Sequence, residues 1–183
     1  GTELDRLDEL LAGGARLVFL ETPSNPTLEV FDIAAIAARA HARDALLVVD
    51  NTFASPVNQQ PLALGADLVV HSATKYLGGH SDITAGALMG PKALIDAVWP
   101  WRKNLGQTPA PETAALLARS LRTLVVRVRQ QNATALTVAQ AMAAHPRVAR
   151  VLYPGLPTFH GHTLAARQMA GFGGMLTIEV VGD

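Results

Sequence analysis

Three short apolar runs, each closing on a polar residue, constrain this chain more than any other feature: Arg16–Glu21 (RLVFLE), Ala45–Asp50 (ALLVVD) and Ala66–His71 (ADLVVH). Each is too short for a helix of ordinary length and too continuously apolar for a strand with one wet face. They read as strands buried on both sides. Helical patterns lie between them. Asp32 is placed to cap a helix with Ile33, Ile36, Ala37 and Ala40 on one face, and Gln60–Leu64 is a short helical stretch ending at Gly65. Buried strands alternating with helices imply an α/β fold, a mostly parallel sheet flanked by helices. Ala85–Met89 is a possible fourth strand.

Upstream, Leu4, Leu7, Leu10 and Leu11 form the apolar stripe of an amphipathic helix, and the chain starts abruptly inside it with no initiator Met. That start suggests a piece of a longer protein. From Pro111 to Ala144 the pattern is helical, with a break expected near Thr123–Val126 and Thr123 as a cap. Val148–Tyr153 and Met175–Val181 then read as strands around a helix near Thr163–Met169. The expected division is 1–145 as a first domain plus a linking helix, and 146–183 as the beginning of a second, smaller one.

Composition excludes several functions. Lys+Arg and Asp+Glu both number 15, so no net charge argues for nucleic acid or an anionic membrane. There is no cysteine, which removes disulfides, thiol catalysis and cysteine-ligated zinc and permits a reducing compartment. No apolar run approaches the roughly 20 residues that cross a bilayer, and the N-terminus has no signal-peptide pattern. His160 and His162 form an H-x-H pair, and His71 and His80 flank Lys75, yet no acidic or histidine cluster completes a metal-ligand set. No metal is expected. Gly78–Gly79 lacks the frame of a nucleotide-binding loop and is read as a turn near the site. Trp99 and Trp101 beside Arg102 are read as partly buried against the sheet.

Ligands of parallel sheets sit beyond the C-terminal strand ends. Those ends bring Glu21 and Asn25, then Asp50–Asn51–Thr52, then His71–Ser72–Ala73–Thr74–Lys75. A carboxylate, hydroxyls and an amine therefore emerge at one edge. Pyridoxal 5′-phosphate (PLP) needs such a set: an amine for its aldehyde, a carboxylate for its pyridine nitrogen, and hydroxyls or backbone N–H groups for its phosphate. In an extended segment Ser72 and Thr74 point to one side and Lys75 to the other. Taken singly, each residue has a plainer reading: Lys75 a solvated surface lysine, Asp50 a turn cap, Ser72 and Thr74 local backbone partners.

The stretches LETPSNPTLEVFDI, VVDNTF, LALGADLVVHSATKYLGGHSD and TAGALMG, followed by LRTL, YPGL and GFGGMLTIE, resemble successive blocks of the Cys/Met-metabolism PLP-dependent enzymes, the family of cystathionine γ-synthase, cystathionine γ- and β-lyases and methionine γ-lyase. The pairing of DNTF with SATKY, Lys75 standing 25 positions after Asp50, carries most of the resemblance. It implies the large domain of the aspartate-aminotransferase-like transferases (fold type I), followed by a truncated start of an α/β C-terminal domain. It further implies Lys75 as the lysine that holds PLP and moves protons, and Asp50 at the pyridine nitrogen. Ser72 and Thr74 would bind the phosphate, Asn25 would lie near the cofactor's phenolic oxygen, with Asn25–Pro26 a candidate cis bond, and Thr52 would pack near the ring. Asp50 and Lys75 are then expected on opposite sides of one flat gap.

The resemblance also implies a trans-sulfuration enzyme acting by γ-replacement or γ-elimination on small amino acids (homoserine esters, cystathionine or methionine). The setting is expected to be cytoplasmic and the assembly a homotetramer, a dimer of dimers. The family's ring-stacking aromatic, its glycine-containing phosphate loop and the arginine for the substrate carboxylate fall outside the stretch present here. A catalytically silent fragment that only folds or associates is therefore the alternative, as is another branch such as cystathionine β-lyase or a homoserine sulfhydrylase. Ser120, Gln131 and Thr134 depart from the family's usual Gly, His and Asn, at helix positions expected to lie outside the chemistry.

Overall fold

A computed structural model describes residues 4–182. Four strands form the main sheet: β1 (Leu17–Glu21), β2 (Leu46–Asp50), β3 (Leu68–Ser72) and β4 (Gly86–Met89). They lie in the order β1-β2-β3-β4, with β1, β2 and β3 parallel and β4 antiparallel to β3. Register pairs Glu21 with Asp50 and Asp50 with Val70, so the three parallel strands end together. The chemistry-bearing strand ends therefore share one edge, as the sequence pattern requires.

Helix α1 (Leu4–Ala12) precedes β1, and α2 (Ile33–His41) crosses from β1 to β2. The Asp32 carboxylate accepts from the Ala35 N–H at 3.0 Å, and Ile33, Ile36, Ala37 and Ala40 are the buried residues of α2. They pack on Leu47, Val49 and Val69 of the sheet. In α1, Leu11 is buried beside Ala40 and Ala45, whereas Leu10 is 63% exposed. Leu7 and Leu11 share a face one turn apart and Leu10 falls off it; the side chain of Leu4 lies outside the described residues.

Between β2 and β3 lie a single helical turn, α3 (Ser55–Asn58), and a 3₁₀ turn (Pro61–Leu64) that Gly65 ends at φ +100°. The expected long helix is split into α5 (Pro111–Leu121) and α6 (Leu124–Ala143), with Thr123 at the junction. Its hydroxyl does not cap α6. It donates to the Ser120 carbonyl at 3.1 Å instead.

Helix α4 (Lys92–Asn104) has no counterpart in the sequence reading. Pro100 inside it and Trp residues on either side obscure its period. The expectation that Trp99 and Trp101 are partly buried is overturned: they are 55% and 67% exposed. No residue of α4 is buried, and Trp99 is covered only in part, by the Arg102 guanidinium 4.9 Å from its ring centre.

A second, two-stranded antiparallel sheet pairs β5 (Val148–Leu152) with β6 (Thr177–Val180), and α7 (His162–Gln168) lies between them in sequence. One apolar cluster joins the first half to this part: Leu28, Val30 and Ala54 with Leu152, Phe159, Ala165 and Met169. Gln168 strengthens the join, donating to the Phe31 carbonyl at 3.0 Å and accepting from the Ile33 N–H at 3.0 Å. Tyr153, among the most buried side chains, donates to the Gly173 carbonyl at 3.0 Å.

Tyr153→Phe removes that donor and leaves a buried carbonyl without it, so denaturant titration should show a loss of about 1–2 kcal/mol. Burial first and the neighbouring Tyr76 second push the Tyr153 phenol up to about 12. The folded chain thus keeps a proton that the unfolded chain releases above about pH 10. Stability should be intact below that pH and fall as it is exceeded, with a shallower fall in the Phe variant.

Candidate active site

The end of β2 is tied to the end of β3 through one hydroxyl. Asp50 Oδ1 accepts from the Thr52 N–H at 2.9 Å and from the Thr52 hydroxyl at 2.6 Å. The same hydroxyl oxygen accepts from the Ser72 N–H at 2.8 Å. Both bonds to Asp50 fall on Oδ1; among the described residues no donor is bonded to Oδ2. Asp50 is half-buried and Thr52 buried, so this chain of bonds is partly shielded from water.

Adjacent Asn51 is fully buried. Its side chain donates to the Gln59 carbonyl and accepts from Gln59 Nε2, each at 2.9 Å, and Gln59 Nε2 also reaches the Thr22 carbonyl. Gln168 closes this network with a 2.9 Å bond to Gln59 Oε1. Gln59, and the bonding of Gln168, escaped the sequence reading because a glutamine carries no positional signal of burial.

Two groups around Asp50 have altered proton affinity. Glu21, its register partner, is pushed up by burial first and by the Asp50 charge second. His71 is pushed down by burial, against the opposing pull of Asp50, and its Nε2 is buried without a partner. Among the described residues no group of three or more His, Cys, Asp or Glu is placed to hold a metal.

After Ser72 the chain turns at once. Lys75 N–H bonds the Ser72 carbonyl at 3.1 Å, Gly78 N–H the Ala73 carbonyl at 2.7 Å, and Gly79 N–H the Lys75 carbonyl at 2.7 Å. The extended path assumed for Ser72, Thr74 and Lys75 is thus not what forms. The Thr74 hydroxyl accepts from the Ala85 N–H at 3.1 Å and lies 3.4 Å from the Ala85 carbonyl, fastening the turn to the start of β4. Gly78 and Gly79 allow this turn. A Cβ on Gly78 would lie 2.7 Å from the Ala73 carbonyl oxygen, and Gly79 has φ +74°.

Lys75 is exposed and faces an open cleft of about 690 Å³. Asn25, Thr74, Tyr76, Gln131 and Met175 also form its walls. The Asn25–Pro26 bond is cis, as is Thr22–Pro23. Of the six sequence candidates, Asn25, Thr74 and Lys75 meet on the cleft. Asp50, Thr52 and Ser72 meet at the β2–β3 edge and are not among the cleft walls; Ser72 joins the two groups through its carbonyl. Gln131, expected outside the chemistry, is a wall of the cleft, with a buried Oε1 that has no partner among the described residues.

The profile of the Cys/Met metabolism PLP-dependent enzyme family matches residues 1–183. The chain belongs to that family. It is 47% identical to a cystathionine gamma-synthase of Mycobacterium leprae over 98% of its own length and 46% of that protein's. It superposes with TM-score 0.96 and 44% identity on a cystathionine gamma synthase from Xanthomonas oryzae pv. oryzae solved with aminoacrylate and cysteine, covering 99% of this chain and 47% of that one. A methionine gamma lyase from Micromonospora echinospora gives TM-score 0.94 at 41% identity, with coverage of 100% and 50%. This family member thus spans about half the length of the relatives it matches. The architecture is therefore the α/β fold of these PLP-dependent enzymes.

The donor set suits the family's cofactor. In kind, Asp50 Oδ2 (without a donor among the described residues), the Ser72 hydroxyl and the Lys75 amine match a pyridine nitrogen, a phosphate and an aldehyde. In place, only the amine lies on the cleft, and Asp50 is not on a wall facing it as a single gap between the two requires.

Thr52→Val should leave the Ser72 N–H and Asp50 Oδ1 without their shared hydroxyl and cost about 1–3 kcal/mol in urea titration. Below the ordinary imidazole value of 6.5, the unfolded chain protonates His71 before the folded chain does, so stability falls with pH in that range. His71→Leu should flatten that fall, seen as a smaller drop in urea midpoint between neutral and mildly acidic buffer.

Proposed function

We propose that this chain carries the cofactor-lysine half of a PLP-dependent trans-sulfuration enzyme of the cystathionine γ-synthase/γ-lyase type. The observation that carries this reading is an exposed lysine on the wall of a ligand-sized cleft, three residues beyond the end of β3, whose neighbour β2 ends on a half-buried carboxylate. In this proposal Lys75 holds the cofactor and moves the proton at the substrate's α-carbon. Asp50 keeps Oδ2 for the pyridine nitrogen while Thr52 fixes the carboxylate through Oδ1. The Ser72 hydroxyl and neighbouring N–H groups take the phosphate, with Thr74 shaping the turn beside it. Asn25, across the cleft, orients the ring's phenolic oxygen. When bound, PLP supplies an electron sink for the pair left by a broken bond at the α-carbon.

The substrate is then a small sulfur amino acid or homoserine ester. Likeness to both a cystathionine gamma synthase and a methionine gamma lyase supports γ-replacement or γ-elimination without choosing between them. A division near residue 145, self-association as a dimer of dimers and a cytoplasmic setting belong to the same proposal and rest on kinship. The second reading is a chain that folds or associates without turnover.

Adding PLP to the chain and reducing with borohydride should fix a phosphopyridoxyl group on Lys75, found by peptide mass spectrometry and lost in Lys75→Ala. Where turnover with cystathionine or a homoserine ester is measurable, the same variant should lower it by about 10²–10⁴-fold. Binding with no turnover would select the silent reading; attachment spread over surface lysines would sink both.

A further inference from the structure

The turn carrying Lys75 is held by a residue from a distant helix. The Tyr76 carbonyl accepts from Arg127 Nη1 at 2.9 Å, across 51 residues of sequence. The same guanidinium gives Nη2 to the Ser120 carbonyl and Nε to the Thr123 hydroxyl, each at 3.0 Å. Thr123 donates in turn to the Ser120 carbonyl. Three nitrogens of one planar group thus bind three neutral oxygens from the lysine turn, the end of α5 and the junction before α6. Among the described residues no carboxylate forms an ion pair with Arg127.

Gly79 makes this contact possible. A Cβ there would lie 2.0 Å from Arg127 Nη1 and 2.5 Å from its Cζ. The guanidinium therefore rests directly on the backbone whose N–H is bonded to the Lys75 carbonyl. Helix α6 is well anchored to receive the reaction: Leu124 and Val128, flanking Arg127, are buried in one cluster with Ala73 and Leu77 of the same turn. A lysine at 127 keeps the charge but lacks the fixed fork needed for three separate acceptors.

We propose that Arg127 is a positioning residue that clamps the 73–79 turn so that the Lys75 amine faces the cleft. Its consequence for the cofactor rests on Lys75 being the lysine that holds PLP; the clamp itself does not.

Amide exchange on the whole chain separates the two. In Arg127→Ala and Arg127→Lys, exchange at Gly78 and Gly79 should rise about tenfold more than at β2 amides, as a local opening does. Arg129→Ala, exposed on the same helix, should change nothing. The PLP concentration giving half-maximal borohydride attachment at Lys75 should rise about tenfold in both Arg127 variants, the charge-preserving Lys included. If Arg127→Ala does not fold, Arg127→Lys carries the test. Exchange rising equally at β2 and at the turn, or attachment unchanged while the turn loosens, overturns the proposal. A selective rise in exchange with no attachment at Lys75 in the unaltered chain supports the clamp and brings down the Lys75 reading instead.

Discussion

A threonine hydroxyl between two parallel strand ends sets what the rest of this site is able to do. Parallel register brings Asp50 beside Val70, which leaves Thr52 level with Ser72 two positions past the last β2–β3 pair. At that point the strands have stopped pairing, and Ser72 N–H needs an acceptor. Thr52 supplies one and donates its own hydroxyl hydrogen bond to Asp50 Oδ1. A single side chain thereby satisfies a backbone donor, orients a carboxylate and confines its bonding to one oxygen. An antiparallel neighbour at this position would offer a different pairing and no such convergence.

Around that link the fold supplies support of two kinds. Apolar packing of α2 on β2 and β3 fixes the sheet, a contact that any residues of suitable shape would make. Buried amides supply the second kind. Asn51, Gln59 and Gln168 satisfy one another and the Thr22 and Phe31 carbonyls, so the strand edge, the loop after β1 and α7 are registered by hydrogen bonds that tolerate little displacement. A half-satisfied network of this type costs more than an apolar one, which makes its completeness a source of geometric definition.

The parts legible in the sequence are those governed by short-range rules. Strand positions followed from apolar runs, α2 from its cap and its i, i+3, i+4 face, and the break at Thr123 from excessive helix length. What remained hidden depends on contacts distant in sequence. Nothing local shows that Arg127 reaches Tyr76, that Gln131 meets the wall containing Lys75, or that Gln168 bonds Gln59. Helix α4 was lost for another reason: Pro100 stands inside it as a helix-breaking residue, and none of its residues is buried. The six site candidates were read from strand ends and family motifs, and geometry adds a division between them that no motif encodes.

That division has a chemical consequence in the accounting of hydroxyls. The Thr74 hydroxyl is occupied with the Ala85 N–H, an interaction that closes the lysine turn onto β4. Ser72 uses its N–H and carbonyl for structure, while among the described residues its hydroxyl is bonded to none. An anion arriving at this edge finds Ser72 able to donate at no structural cost, whereas recruiting Thr74 means redirecting its proton from the Ala85 carbonyl, where the 3.4 Å contact is long for an O–H donor. That bond is weak enough to give up. Thr74 can therefore keep accepting from Ala85 N–H, holding the turn, while its proton turns outward. One residue is thereby free to hold the turn and still offer a donor, because an alcohol accepts and donates through separate positions on one oxygen.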